Sequence, residues 1–281
     1  MEISPTVTLA VLGGALLHAS WNALVKSSAD KQLDTAAISI GAGLIALAAL
    51  VWLPAPAPAA YGWLAASAAV HILYFALLAD AYRWGDLSFT YPVMRGGGPV
   101  ITALASTLVF SETLPFAQTM GVALICVGVL AFATSRTHEP AALRRALGFA
   151  LGNAVVVAAY TIVDAQGARA SGAPVSYALY FFVANGVAVP AWFALRRGRA
   201  VADYFARRWG RALAGGACTL GSYGIALWAM TQAPVALVAA LRETSVIFGA
   251  LLGALLLGER FTRRRLAATA AVLAGLIALR V

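Results

Sequence analysis

The chain opens with the apolar run PTVTLAVLGGALLHASWNALV (residues 5–25), which contains no charged side chain and ends at Lys26. About twenty such residues in a helix cross the hydrocarbon core of a bilayer, which is roughly 30 Å thick. No basic segment precedes the run, and it is long enough to span. It therefore predicts a membrane helix rather than a cleaved signal peptide.

Composition extends this interpretation to the whole chain. Of the 281 residues, 62% are hydrophobic and only 11% are charged, whereas soluble domains have roughly 25% charged residues. The net charge of +9 could suit a nucleic-acid-binding protein. However, the arginines lie in short gaps between apolar runs, where such residues orient helices in a bilayer. We therefore exclude a soluble nucleic-acid-binding domain.

Charge, proline and glycine divide the chain into ten candidate spans. Their limits are 5–25, 35–53, 61–82, 87–110, 115–135, 146–167, 175–195, 210–232, 235–257 and 264–280. The longest gap, from Arg196 to Arg211, carries six arginines and is too short for a domain. We expect an all-α integral membrane protein of ten transmembrane helices.

Loop cations fall almost entirely on one side of such a bundle. Sixteen lysines and arginines lie in the odd-numbered gaps, beginning with Lys26 and Lys31, whereas the opposite side has only Arg169 and Arg280. Cationic loops stay preferentially in the cytoplasm. The distribution predicts cytoplasmic odd-numbered loops and both termini on the outer, periplasmic side.

The two halves of the chain resemble each other at a nearly constant spacing. The aligned pairs are Arg95 with Arg242, Glu112 with Glu259 and Gly128 with Gly275 at 147 residues, and Gly13, Trp21 and Asn22 with Gly152, Tyr160 and Thr161 at 139 residues. Because five spans is an odd number, the second half must insert upside down, as in the inverted repeats of many transporters. We expect residues 1–139 and 140–281 to form two such halves.

Two segments resemble a known family. The turn Gly-Glu-Arg-x-Thr (258–262) before the last span and the opening HASWNALVK (18–26) are similar to members of the EamA family of the drug/metabolite transporter superfamily. The resemblance covers essentially the whole chain. It implies a basket-like bundle in the inner (plasma) membrane of a bacterium, which exports metabolites, often amino acids, by alternating access. Many family members are drawn with cytoplasmic termini, whereas the loop charges here favour the opposite.

Two arginines lie inside predicted spans, Arg95 in the fourth and Arg242 in the ninth. Charged side chains at membrane depth face the protein interior and mark candidate functional sites. Each arginine either receives a substrate carboxylate in a bidentate contact or serves as one partner of a structural pair or as a clamp on helix-end carbonyls. Glu243 adjoins Arg242, but neighbouring side chains on a helix diverge by about 100° and do not pair simply.

Arg95 also begins the string RGGGP, which ends at Pro99. Glycine and proline weaken a helix, and irregular backbone at membrane depth must line a cavity or be buried in protein. The string indicates either a break that lines the solute path or small residues that permit close helix packing.

Polar and aromatic side chains share one face on several spans, at steps of three or four residues. We predict that Arg95 and Arg242 line a substrate cavity together with Trp21, Asn22, His71, Tyr74, Tyr82, Tyr160 and Tyr223. Such a wall suits the apolar part and the ammonium group of an amino acid. The alternative for each aromatic residue is packing or a place in the interfacial belt.

Coupling to protons has three candidates, His18, His71 and Asp164. Histidine titrates near neutral pH and responds easily to its surroundings. The first span holds no acidic residue, so it lacks the carboxylate that the small multidrug exporters of the superfamily carry there. That disfavours a proton-driven antiporter of cationic drugs, and an uncoupled uniporter is the other option.

Two glutamates, Glu112 and Glu259, lie in turns between spans. We expect each to cap the following helix at its positive end or to hold a nearby arginine. The cysteines, Cys126 and Cys218, lie inside apolar runs and are expected to be small core residues.

The sequence lacks the motifs HExxH, DxxD and GxSxG, which disfavours a membrane-embedded enzyme. We expect no cofactor, no metal and no nucleic-acid partner, and the sequence is compatible with a monomer. The predicted partners are the lipid bilayer and a small solute, amino acids first. A drug, sugar or nucleotide exporter of the same superfamily is the alternative.

Overall fold

The computed structural model describes residues 3–85, 87–133, 139–257 and 263–279. Regular structure in these ranges is entirely helical. The α-helices are α1 (Pro5–Ser27), α2 (Lys31–Ala49), α3 (Tyr61–Trp84), α4 (Leu87–Phe110), α5 (Phe116–Ala131), α6 (Pro140–Ala170), α7 (Pro174–Arg197), α8 (Ala200–Gln232), α9 (Val235–Arg242), α10 (Ser245–Leu257) and α11 (Arg263–Ala278).

Helix starts follow local side-chain chemistry. Ser4 accepts a hydrogen bond from the Val7 N–H at 3.2 Å and so caps α1. Asp30 caps α2 in the same way through the Leu33 N–H at 3.0 Å. These caps satisfy amide groups that the first helical turn leaves without partners.

The outer surface of the bundle is apolar. Seven stretches of the described residues are long and apolar enough to cross a membrane, and the apolar helices Phe116–Ala131 and Leu266–Ala278 are shorter. Large apolar side chains project outward, such as Leu108 and Leu195, which are 85% and 84% exposed. A surface of this kind suits lipid rather than water. The protein is therefore a multi-pass membrane protein.

Two helices begin more than five residues earlier than the sequence predicted. The predicted gap from Arg196 to Arg211 is almost entirely helical, because α7 runs to Arg197 and α8 begins at Ala200. α8 leaves helical geometry only at Arg208, with φ −130° and ψ 26°, close to the predicted start of that span. α6 likewise begins at Pro140 rather than at residue 146. Hydropathy marked the apolar part of each helix and missed its polar first turns.

The glycine-rich string of α4 is not a break. The helix continues through Gly96, Gly98 and Pro99 without interruption. A Cβ atom at Gly98 would lie 2.8 Å from Val157, and one at Gly96 would lie 2.8 Å from Leu130. These glycines therefore let α4 pack closely against its neighbours, which is the second of the two alternatives for this string.

The break lies instead in the predicted ninth span, which is divided into α9 and α10 at Glu243 and Thr244. The amides of these two residues bond to carbonyls three residues earlier, Ala240 and Leu241, at 3.0 and 3.1 Å. A short 3₁₀ stretch between two helices often marks a hinge. No glycine or proline stands here, so the sequence contains no signal for the break.

Helices from the first and second halves pack directly on one another. α1 contacts α8 and α10, α6 contacts α3 and α4, α2 contacts α7, and α5 contacts α11. Small residues lie at the closest crossings: a Cβ atom at Gly128 would lie 2.6 Å from Val272, and one at Gly275 would lie 2.7 Å from Ile125. The core of the bundle thus lies between the halves.

Candidate functional site

A small cavity lies at the centre of this core, where α4, α6 and α9 meet. Its volume is about 10 Å³, which is near the minimum for one water molecule. Its lining residues are Arg95, Gly98, Pro99, Thr102, Val157, Tyr160, Thr161, Ala239, Arg242 and Glu243. The cavity is therefore closed to solutes in this conformation, and it gathers three charged side chains.

Arg95 and Glu243 form a buried ion pair across the cavity. Arg95 Nη2 lies 2.9 Å from Glu243 Oε1, and the two side chains are only 10% and 4% exposed. The pair joins α4 to the break between α9 and α10. Both charges are removed from water, so each depends on the other: removing one partner of such a pair costs about 3–5 kcal/mol.

Arg242, the predicted repeat counterpart of Arg95, is buried in a different setting. Its guanidinium carbon lies 5.1 Å from the centre of the Tyr223 ring, a cation–π contact. No ion pair of Arg242 is found in the described part of the chain. As expected, adjacent Arg242 and Glu243 do not pair with each other, and both face the interior.

Aromatic rings form one wall beside these charges. His71 and Tyr160 lie 4.6 Å apart between ring centres, and Tyr74 lies 5.9 Å from Tyr160. Phe181 connects this group to Tyr223, with ring centres 4.9 Å from His71 and 5.1 Å from Tyr223. Four of the predicted aromatic residues are thus brought together. Sequence reasoning missed Phe181, although the polar residues Tyr177 and Asn185 lie four positions away on the same face of α7.

Three predicted residues of α1 lie near this centre but interact mainly with each other. Trp21 Nε1 donates to His18 Nδ1 at 3.3 Å, and the Asn22 amide donates to the His18 carbonyl at 2.8 Å. His18 Nε2 is buried without a hydrogen-bond partner among the described residues. Arg95 and Arg242 lie close enough to this imidazole to interact with it electrostatically.

Asp164 lies near the C-terminal end of α6 and is fully buried. Its two carboxylate oxygens accept hydrogen bonds from Tyr177 at 2.9 Å and from Tyr223 at 2.5 Å. Gly167 makes room for Tyr177, because a Cβ atom there would lie 2.4 Å from the tyrosine ring. Tyr223 therefore connects the carboxylate of Asp164 to the guanidinium of Arg242.

Some predicted residues lie outside the described part of the structure. Tyr82 belongs to α3, but its side chain is not described. Glu259 and the rest of the 258–262 turn also fall outside the described residues. Their predicted roles therefore stay predictions.

Glu112 joins the two halves at one end of the bundle. It pairs with Arg169 at 2.8 Å, and its other oxygen accepts the Val235 N–H at 2.9 Å. Arg169 also donates to the Met230 carbonyl at 2.9 Å. The expected arginine partner is thus present. The capped helix, however, is α9 of the second half rather than α5, which follows Glu112 in the chain.

The opposite end carries a polar cluster around Asp34, which is only 1% exposed. Asp34 accepts hydrogen bonds from Arg211 at 3.1 Å and from Tyr204 at 3.0 Å. Arg211 also donates to the Leu24 carbonyl and to Ser27 at 2.9 Å. Sequence reasoning missed this cluster because its partners are far apart in the chain and Asp34 lay outside the predicted second span.

Asp30, beside this cluster, pairs with Arg197. Partial burial acts to raise the pKa of its carboxyl group, but the Leu33 amide and the Arg197 guanidinium outweigh that effect. The pKa of Asp30 is therefore lower than its ordinary value. The carboxylate stays ionised and holds the connection between α1 and α2 next to the end of α7.

Comparisons with known proteins agree with this architecture. One solved structure, titled only "Crystal structure of protein", superposes with a TM-score of 0.72 at 18% sequence identity, covering 98% of each chain. At that identity the likeness concerns the fold alone. No curated protein matches the sequence.

The family comparison covers the second half of the chain. Residues 144–281 match the model of the EamA-like transporter family, which belongs to the drug/metabolite transporter superfamily. Proteins of this family are membrane transporters. Residues 144–281, just under half of the chain, therefore form an EamA-like transporter domain, as the sequence resemblance predicted.

Proposed function

We propose that the protein exports small metabolites, amino acids first, across the inner (plasma) membrane of a bacterium by alternating access. The observation that carries this proposal is the buried centre that combines Arg95, Arg242 and Glu243 with aromatic rings. Buried charges at membrane depth are costly, and they are retained where they serve a function. An amphoteric solute with an apolar side chain matches both parts of this centre.

The alternating-access mechanism rests on a ten-span inverted repeat, with halves 1–139 and 140–281. The crossing of α5 and α11 supports it: Gly128 packs on Val272, and Gly275 packs on Ile125. Adding 147 to Gly128 gives Gly275, and subtracting 147 from Val272 gives Ile125. The predicted repeat therefore converts the first contact into the second. Gly121 meets Leu279 while Gly128 meets Val272, so the two helices run antiparallel. In an inverted repeat, a two-fold axis in the membrane plane relates corresponding helices of the two halves and makes them antiparallel in this way.

Within the centre, Arg242 receives the solute carboxylate in a bidentate contact, which guanidinium groups make well, and Arg95 lines the cavity beside it. The rings of His71, Tyr74, Tyr160 and Tyr223 contact the apolar side chain. The cavity of about 10 Å³ is too small for any amino acid, so loading requires helices to separate. Trp21, Asn22 and Tyr82 then extend the wall as the cavity opens.

We propose Asp164, His18 and His71 as the candidate residues for proton coupling. Asp164 is favoured because a proton on its carboxylate removes an acceptor from Tyr223, whose ring lies beneath Arg242. Protonation of Asp164 would thereby affect, through Tyr223, the arginine that binds the solute carboxylate. His71 is a second candidate, since its Nδ1 is bonded to the Ser67 carbonyl at 2.9 Å.

For orientation, we propose cytoplasmic odd-numbered loops and periplasmic termini. At the end that this assigns to the periplasm, Arg169 is neutralised by Glu112. The other end carries the arginine-rich starts of α6 and α8. Fluorescent protein fused to the C-terminus tests the assignment, because it should remain dark when exported to the periplasm, and bright cells would reverse it.

Efflux from proteoliposomes preloaded with each of the twenty amino acids tests the function. We expect at least one to leave faster than from protein-free vesicles, and Arg242→Gln to abolish that difference. Arg207→Gln is the matched control, since Arg207 is exposed and lies outside the cavity. Movement of sugars, nucleotides or drugs without any amino acid would refute the proposal.

A further inference from the structure

The cavity contains a negative pole, the carboxylate of Glu243, beside a positive pole, the guanidinium of Arg242. Glu243 uses Oε1 to pair with Arg95, but its Oε2 atom is buried and has no hydrogen-bond partner among the described residues. Leaving a charged oxygen unsatisfied in this way is costly. An oxygen of this kind that lines a cavity is suited to accept hydrogen bonds from a cationic group.

The two poles lie on consecutive residues. Arg242 offers a guanidinium without an ion-pair partner in the described ranges, and Glu243 offers its second oxygen, and both side chains line the same cavity. They do so where the helix breaks and its hydrogen bonding tightens. In an α-amino acid, the carboxylate and the ammonium group are attached to one carbon atom. Because both side chains border the same small cavity, one head group of that size can contact both.

We propose that Glu243 is the ammonium-binding residue of the site and makes it selective for zwitterions. This inference rests on the proposed function. The solute carboxylate binds Arg242, and its ammonium group donates to Glu243 Oε2. Arg95 is a positioning residue, because its pair with Oε1 holds the carboxylate in place and leaves Oε2 free. No buried charge is then left without an opposite partner.

Selectivity follows from the same charges. A carboxylate without an ammonium group brings a second negative charge next to Glu243 in a site of low dielectric constant. An amine without a carboxylate brings a positive charge next to Arg95 and Arg242. Each of these solutes meets repulsion from a like charge in the site, which the zwitterion offsets with its second, oppositely charged group. Repulsive elements of this kind create specificity.

The test compares three solutes of matched shape: phenylalanine, 3-phenylpropanoate and 2-phenylethylamine. Binding to the purified protein is measured by isothermal titration calorimetry. We expect the wild-type protein to bind phenylalanine at least about tenfold more tightly than either analogue, since an uncompensated buried charge costs more than that factor. Equal binding of phenylalanine and 3-phenylpropanoate would overturn the inference, and so would no binding of phenylalanine.

The variant Glu243→Gln removes the charge and keeps the size of the side chain. Its affinity for phenylalanine should fall at least about tenfold, toward that of 3-phenylpropanoate, which should not bind more weakly than before. Glu139→Gln, at the exposed start of α6, is the control and should bind like wild type. An equal loss for both solutes would assign Glu243 a structural role and overturn the inference. If this variant does not fold, the relative affinities of the wild-type protein for the three solutes decide the test.

The efflux screen separates this inference from the proposed function. A protein that exports amino acids but binds phenylalanine and 3-phenylpropanoate equally well refutes only the role of Glu243. A protein that exports none of the twenty amino acids refutes both.

Discussion

Replacing Glu243 by glutamine tests how strongly the centre of the bundle depends on its ion pair. Two unit charges 2.9 Å apart attract by about 6 kcal/mol at an effective dielectric constant of about 20. Desolvation of both ions offsets most of that attraction, so the intact pair adds little net stability. Glutamine, however, leaves the Arg95 guanidinium buried without its counter-charge. We expect the free energy of unfolding to fall by about 3–5 kcal/mol.

The double variant Arg95→Met, Glu243→Leu separates the pair from its surroundings. Because apolar side chains of similar size need no counter-charge, we expect its stability to lie within about 1–2 kcal/mol of wild type. Unfolding by dodecyl sulfate in mixed micelles, followed by fluorescence of the seven tryptophans, measures all variants, with Glu139→Gln as the control. The reasoning is refuted if Glu243→Gln lies within about 1 kcal/mol of wild type, or if the double variant loses the sum of both single losses.

Three further predictions concern other contacts, each measured as the free energy of unfolding. Tyr223→Phe keeps the ring beneath the arginine but removes the hydroxyl that bonds Asp164 at 2.5 Å, so it should cost about 1–3 kcal/mol; a neutral result would mean that water replaces the hydroxyl. Gly275→Leu should cost at least about 1–3 kcal/mol, because a carbonyl of α5 would lie 2.6 Å from the new Cβ, whereas Gly13→Leu, with nothing within 4 Å, should be tolerated. Asp30→Asn keeps a capping side chain but loses the ion pair with Arg197, so it should cost about 0.2–1 kcal/mol at neutral pH. Because folding lowers the pKa of Asp30 below 3.8, that difference should vanish as the pH falls below about 4 and persist at higher pH, and the opposite trend would contradict it.

Hydropathy located the helices well where apolar residues end abruptly. The fourth predicted span, residues 87–110, coincides with α4. Its glycines left the choice between a break and close packing open, because a weak helix former is also the residue that allows the closest packing. The true break at Glu243 has no such signature in the sequence; what marks it in the structure is the ion pair of Glu243 with Arg95 of another helix.

Contacts within the site were predictable only in part. Helical periodicity fixes which side chains share a face, and Arg95, Arg242 and the four aromatic residues that it selected lie close to one another in the structure. Their role in solute binding stays a prediction. The partners of Asp34 and Glu112 were not predictable, since they lie on helices far away in the sequence. Such pairs require the packing of the bundle, which a single sequence does not specify by periodicity.

Helix α9 is attached to the first half at both of its ends. Glu112 caps its first amide, from the turn after α4, and Arg95 of α4 holds Glu243 just beyond its last residue. All eight residues of α9 are buried. The helix is thus clamped to α4, although the chain order assigns it to the second half. We therefore expect the boundary between the bodies that move during transport to lie at Glu243 and Thr244. Helix α9 should then move together with α4, on which it packs, rather than with α10, which follows it in the chain.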